Sequence, residues 1–423
     1  MGSWRIWHSA RSFGDFIVEN TKLKDIKDQL EFKSLSESDA SKSGAFHKVP
    51  DHIKKILYLD AADLIVEYNS EPIICIEETK EAGTGHNAFQ RFARIAAAVE
   101  NNVPAIYVMP EACIITRDVK KKGKVVGTNA RWDAVNPMIF QAYNSVMDIF
   151  KIPALFFFYP SDYRKYKTNP LGSLHQASKG LIFNDNIFDF PACPTEKDSE
   201  MQSLFDVINT IIDNAISGAS VATLVDKKII RDRKYWMQEQ YYTKLADRKP
   251  EDLSPISATK TIPTDKLLSY LSNFTDVEVD EISELLSSRK KTVIYQCDAG
   301  FRGDPYAGAL SAIDYLMCRQ GKTYEERDAN LVLCFGSVDE SDDTINVISD
   351  KCSVDDFIHT VHNCCKKNLL TTEHFSELRP EDIGRYYMQV RYGSTYSKVK
   401  HIRVFSYFAD AIIFADGALW REA

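Results

Sequence analysis

Asp63, Glu78 and Lys80 are the residues of this chain whose types and spacing could do chemistry. They lie in two apolar runs, Asp63-Leu-Ile-Val-Glu-Tyr68 and Ile73-Ile-Cys-Ile-Glu-Glu78-Thr-Lys80. Between the runs stands Asn69-Ser70-Glu71-Pro72, a turn-forming tetrapeptide, so the segment is expected to fold as an antiparallel hairpin. If Tyr68 pairs with Ile73 across that turn, the register sets Asp63 directly opposite Glu78. Opposed residues in such a ladder are about 4.5 to 5.5 Å apart, a separation at which two carboxylates can share one divalent cation. Side chains alternate along a strand, so Glu78 and Lys80 share a face.

Two carboxylates held that close repel each other unless a proton or a cation intervenes. Mg²⁺ suits the donors, because it takes oxygen ligands, keeps several waters and is commonly held by one or two carboxylates plus a substrate phosphate. With the amine of Lys80 beside an attacking water, the set is suited to phosphodiester hydrolysis. The bland alternative is that Glu77, Glu78, Lys80 and Glu81 form a solvated strand end. For an isolated Glu-x-Lys that alternative wins, and the acid at the mirror position is what tips the balance towards a site.

Elements must position these groups. After Lys80 comes the glycine-bearing loop Glu81-Ala-Gly83-Thr-Gly85-His-Asn87, and then Ala88 to Asn101 is expected to be a helix burying Phe89, Phe92, Ala96 and Val99. Gln90, Arg91 and Arg94 fall on or beside its other flank. Gln90 and Arg94 are four residues apart and share a face, suited to orienting a carboxylate or contacting a phosphate, and equally compatible with an ordinary polar helix surface. Val103 to Met109 is the next expected strand.

Hairpin, helix and strand in this order, with Asp63, Glu78 and Lys80 at those places, resemble the PD-(D/E)XK nuclease superfamily, the fold of most type II restriction endonucleases. The resemblance covers roughly residues 10 to 160. Asp63 matches the first acid, Glu78 the second and Lys80 the lysine. Ala62 stands where the family usually has proline, and Glu19 is a counterpart for an acid sometimes supplied by the helix before the strands. The likeness implies an α/β fold with a restriction-endonuclease-like core, a mixed sheet flanked by helices. It further implies Mg²⁺ held by Asp63, Glu78 and the Thr79 carbonyl, water activated by Lys80, and double-stranded DNA as substrate. A palindromic target would imply a homodimer.

Composition is compatible with this and does not demand it. A chain of 423 residues can form two or three domains, each with a sizeable core. A formal charge of -8 argues against a protein that coats nucleic acid nonspecifically, yet local basic clusters and metal-bridged acids leave a nuclease open. The nine cysteines sit mostly in apolar runs, as Cys75 and Cys334 do, and are expected to be buried free thiols in a reducing cytoplasm. No secretory signal or membrane span is evident. The longest apolar stretch, Ile152 to Tyr159, has the length of a buried strand.

Two domains are expected, a nuclease domain over 1-250 and a C-terminal α/β domain over 264-423, parted by the proline-rich stretch Arg248 to Pro263. Ser34 to Ser43 is expected to be a mobile loop over the site. Asp198 to Leu245 is expected to be helical. In the C-terminal part, strands over Thr292 to Gln296 and Ala329 to Phe335 flank a helix over Ala307 to Cys318. The loop Cys297 to Gly308 lacks Walker or dinucleotide spacing, and Asp304 before Pro305 is accounted for as a helix cap. Three basic stretches are candidates for gripping nucleic acid: Arg117 to Lys124, Lys227 to Lys234 and Arg391 to Arg403. The first, with Lys120, Lys121 and Lys122 at a hairpin turn about Gly123, carries the most weight. Two other readings remain open: a structure-specific or defence nuclease acting on branched DNA or RNA, and a noncatalytic nucleic-acid-binding protein with the same fold.

Overall fold

The computed structural model describes residues 2–9, 11–35, 49–57, 59–79, 86–110, 112–159, 175–177, 180–183, 186–188, 196–275, 279–297, 303–349, 352–359 and 400–421. The architecture is α/β, with mixed sheets flanked by helices.

The first sheet holds the residues of chemical interest. Its strands are β1 (Trp4–His8), β2 (Leu30–Ser34), β3 (Leu64–Tyr68), β4 (Glu71–Glu78) and β5 (Ala105–Pro110). A hairpin of β6 (Ala112–Lys121) and β7 (Lys124–Ala134) then leaves the sheet, and β8 (Ala154–Tyr159) returns to complete the order β2-β1-β3-β4-β5-β8. β3 runs antiparallel to β1 and β4, whereas β4, β5 and β8 are parallel. Parallel neighbours need crossovers, supplied by α3 (His86–Gln90) with α4 (Phe92–Glu100) and by α5 (Met138–Phe150). Coverage on both faces explains why β4, β5 and β8 are near-continuous apolar runs; Ile74, Cys75, Ile76, Ile106, Val108, Leu155, Phe156 and Phe157 have no exposed surface.

α1 (Arg11–Asn20) and α2 (Asp51–Leu57) precede this crossover layer, and α6 (Ser199–Ile216) and α7 (Lys228–Leu245) follow it. α6 packs on β4 and β8, and touches α1 through Phe205 and Phe16, ring centroids 5.5 Å apart. The expected helicity of 198 to 245 is present as these two helices with a short 3-10 turn, Val221–Asp226, between them. Three short strands, β9 (His175–Ala177), β10 (Gly180–Phe183) and β11 (Asn186–Phe188), form a small antiparallel sheet.

A second sheet begins where proline and polar residues interrupt periodicity. It orders β12 (Thr259–Pro263), β13 (Lys291–Gln296), β14 (Ala329–Cys334), β17 (Ala411–Phe414) and β18 (Gly417–Trp420); β15 (Ser337–Glu340) and β16 (Ile345–Ile348) pair separately. Its helices are α8 (Thr264–Leu271), α9 (Val279–Ser287), α10 (Gly303–Ile313) and α11 (Lys400–Phe408). The expected helix over Ala307 to Cys318 starts earlier, at Gly303, and ends in a π-helical turn, Asp314–Arg319.

The two sheets do not have wholly separate cores. One face of the second sheet, with Ile262, Ile294, Val332, Ile413 and Trp420, packs with α8 and α9 as a cluster of its own. The opposite face, with Val293, Tyr295, Leu331, Leu333 and Ile412, joins α10 and α11 to the core of the first sheet. The proline-rich boundary therefore parts the sheets while apolar packing runs across it.

Candidate active site

The hairpin exists, but its turn is two residues shorter than the sequence suggests. Asn69 and Ser70 alone form it, at φ 51° and 64°, the positive values of a type I′ turn. Tyr68 consequently pairs with Glu71 and not with Ile73. The ladder shifts between Val66 and Glu67, opposite Pro72, which has no amide hydrogen to give and belongs at such an irregularity. Beyond the shift Leu64 pairs with Ile76. Continued by one step, that register sets Glu77, not Glu78, opposite Asp63. The expected face-to-face placement of Asp63 and Glu78 is thus corrected by one residue.

Asp63 nonetheless reaches Glu78 by another route. It lies just before β3, and its Oδ2 accepts a hydrogen bond from the Glu78 amide at 3.0 Å, while Oδ1 accepts from the Ser9 hydroxyl at 3.2 Å. The carboxylate thus takes the place of a ladder carbonyl opposite the Glu78 amide. The next amide, of Thr79, donates to the Val108 carbonyl at 3.0 Å. Both sides of the end of β4 are therefore pinned, and Glu78 and Thr79 are half-buried there. Lys80 and the loop 81 to 85 lie outside the described residues, as does most of Ser34 to Ser43.

Glu77, which the sequence did not single out, turns to the opposite face and into the interior. It is buried without exposed surface against α4, with Oε1 2.5 Å from Arg94 Nη1 and 3.3 Å from Arg91 Nε. Arg94 Nε also pairs with Asp60 Oδ2 at 2.6 Å. Glu77 Oε2 is buried and has no hydrogen-bond partner among the described residues. Burial pushes the Glu77 carboxyl up to about 8; the Arg94 and Arg91 guanidiniums oppose this, and the charge of Asp63 adds to it. Asp60, Asp63 and Glu78 outnumber the two guanidiniums even when Glu77 holds its proton.

The expected helix after the loop is broken into α3 and α4 at Arg91. Its buried stripe holds, for Phe89, Phe92, Ala96 and Val99 have no exposed surface. On its polar flank Arg94 is buried and pairs with two carboxylates, one of the two roles its spacing allowed, while Arg91 is half-buried beside Glu77 and Gln90 is half-buried under α10. These three residues are not a basic surface facing solvent. Glu19 is half-buried and paired with Lys27.

Contacts from the C-terminal half fix the helices that follow the strand. Gly308 in α10 lies so close to α3 that an added Cβ would be 2.2 Å from Gln90 Cα and 2.4 Å from the Phe89 carbonyl. At the far end of α4, Glu100 accepts hydrogen bonds from the Tyr315 and Tyr407 hydroxyls and lies 3.6 Å from Arg319. The run Ala307-Gly308-Ala309 is the sequence signal for this close approach.

The β6–β7 hairpin turns at Lys122 and Gly123, φ 49° and 77°, with Lys121, Lys122 and Lys124 exposed. The side chain of Lys120, all of Arg391 to Val399 and residues 298 to 302 fall outside the description. Among the described residues Cys75, Cys318, Cys334 and Cys352 are buried free thiols, and Cys297 is buried as well.

Among the described residues no set of three or more His, Cys, Asp or Glu side chains is arranged to hold a metal, and no helix is long and apolar enough to cross a membrane. The donors at the strand end, two carboxylates and the Thr79 carbonyl, are oxygen ligands of the kind Mg²⁺ takes, and their surplus negative charge suits a cation. No family model, curated protein or solved structure matches the chain.

Proposed function

We propose that the chain is a Mg²⁺-dependent DNA endonuclease with a restriction-endonuclease-like core, most like a type II enzyme acting on double-stranded DNA. The observation that carries this reading is the Asp63 carboxylate docked on the Glu78 amide, which brings two acids to one strand end two residues before Lys80. Asp63, Glu78 and the Thr79 carbonyl would hold Mg²⁺, which supplies charge neutralisation at the scissile phosphate when bound.

The chain's own residues do the rest. The pinned end of β4 fixes the Asp63 carboxylate against the main chain of Glu78, so little backbone reorganisation is needed when the phosphate arrives. The Lys80 ammonium orients the attacking water by donating to its oxygen and favours its hydroxide form, the water's proton passing to solvent. The hydroxide oxygen bonds to phosphorus, the P–O3′ bond breaks, and the departing O3′ takes a proton from solvent, leaving a 5′-phosphate and a 3′-hydroxyl. Lys121, Lys122 and Lys124 at the β6–β7 tip supply a sequence-blind grip on the backbone. Two such sites in a homodimer would cut both strands of a palindrome. Substituting Lys80→Ala should abolish cleavage and leave DNA binding and folding largely intact, and Asp63→Ala should abolish cleavage while also freeing the Glu78 amide; retained cutting in either variant contradicts the assignment.

A further inference from the structure

α7 has an outer face that its own fold does not use. Ile230, Arg233, Met237 and Tyr241 point inward, and the Arg233 guanidinium donates to the Phe156 carbonyl and stacks 3.5 Å from the Trp236 ring centroid. Lys228, Arg231, Tyr235, Gln238 and Tyr242 recur at three- and four-residue steps, the spacing of a single helical stripe. Tyr235 and Tyr242 are 61% and 70% exposed. Such tyrosines on one line form an unusual soluble surface, more informative than scattered apolar residues.

The helix also begins against its own dipole. Its first turn contains Lys228 and Arg231, preceded by Lys227 at the N-cap, and no acid. Cations are disfavoured at that positive end, and an anion arriving there would relieve the conflict. Lys228 is paired with Asp232 and Lys234 with Asp148, whereas Arg231 is exposed and has no partner among the described residues.

The C-terminal part of the stripe borders a groove of about 500 Å³ between α5, α7 and the π-helical turn. Its lining is rich in amides and phenols, Gln141, Asn144, Gln238, Tyr241, Tyr242 and Tyr315, and its one acid, Asp148, is paired with Lys234. Asn144 is only 8% exposed, and its Oδ1 has no partner among the described residues. Amides flanked by aromatic rings match the hydrogen-bonding edge and flat face of a nucleobase.

We infer that the outer face of α7 and this groove form a platform for an unpaired nucleic-acid strand. Phosphates lie at Lys227 and Arg231, bases stack on Tyr235 and Tyr242, and one base enters the groove with its edge towards Asn144 and Gln238. Such a strand exists where a duplex has a flap, a gap or a melted segment. The inference rests on the endonuclease reading only in that the ligand is nucleic acid, and it needs no hydrolysis.

The test is fluorescence anisotropy of a labelled single-stranded DNA 20-mer with the full chain in EDTA, at several salt concentrations. Tyr235→Ala and Tyr242→Ala should each weaken binding on the order of tenfold, and the phenylalanine variants at both positions should restore it, because stacking uses the ring. Arg231→Ala should lower the salt slope by about 0.7, the contribution of one single-strand phosphate contact. A blunt duplex of the same length should bind more weakly and ignore the tyrosines. Unchanged affinity in both tyrosine variants, or duplex binding with equal strength and equal tyrosine sensitivity, overturns the platform. Because EDTA silences cleavage, either result is independent of whether the strand end proves catalytic.

Discussion

Asp63 Oδ2 accepts a hydrogen bond from the Glu78 backbone amide at 3.0 Å, so the first acid of the proposed site is anchored to the second through main chain and not through a shared face. The bond uses the oxygen as an acceptor, which an amide side chain can also supply. Asp63→Asn should therefore keep the strand end intact and shift thermal unfolding little. Removing the charge should slow cleavage about a hundredfold or more, as expected for loss of several kcal/mol of electrostatic stabilisation. Thermal melting and single-turnover cleavage, compared side by side, check the two halves; equal cleavage in Asp63→Asn contradicts a metal-binding role.

Arg94 is expected to be structural, with Asp60 and Glu77 as its partners. Arg94→Met strands two buried acids and should cost about 3–5 kcal/mol of stability. Glu77→Gln keeps an acceptor for Arg94 and should change stability by about 1 kcal/mol or less. Urea denaturation of both variants provides the comparison. Arg94→Met with wild-type stability and weakened DNA binding would instead return this residue to the nucleic-acid surface.

Gly308 ties the C-terminal half to the helix that follows the site. Gly308→Ala should force α3 and α10 apart, with a destabilisation of about 1–3 kcal/mol or more, and should reduce cleavage although no atom of Gly308 lies at the strand end. Melting temperature and cleavage rate measured on one preparation test this. A variant that is fully stable and fully active contradicts the contact.

Asp410 is the most connected acid of the second sheet among the described residues. It accepts from Arg421 Nη2 at 2.6 Å and from the Leu331 amide at 2.9 Å, and it pairs with Arg327, all of them buried. Asp410→Ala should cost about 3–5 kcal/mol, seen as a lower urea midpoint. No change would mean that water substitutes for the carboxylate there.

What the sequence made legible follows period and polarity. The apolar runs at 64 to 68, 73 to 78 and 154 to 158 announced strands, and Phe89, Phe92, Ala96 and Val99 announced a buried stripe, because these signals are local. The register of the hairpin was not legible, since Asn69-Ser70 lacks the glycine that marks a type I′ turn and the irregularity at Pro72 absorbs a residue. Arg94 lies off the apolar stripe and looks like surface; what buries it are acids contributed by residue 60 and by the other face of β4. Such nonlocal neutralisation has no periodic trace. Likewise, Gly308 showed as part of a glycine-rich loop, whereas its role depends on a helix more than two hundred residues earlier.

The central claim is tested most directly by incubating the protein with a long duplex DNA and Mg²⁺ and sequencing the fragment ends. The account predicts discrete fragments bearing 5′-phosphates, absent in EDTA and absent with Lys80→Ala. Intact DNA under all conditions, or the same fragments from Lys80→Ala, would contradict it.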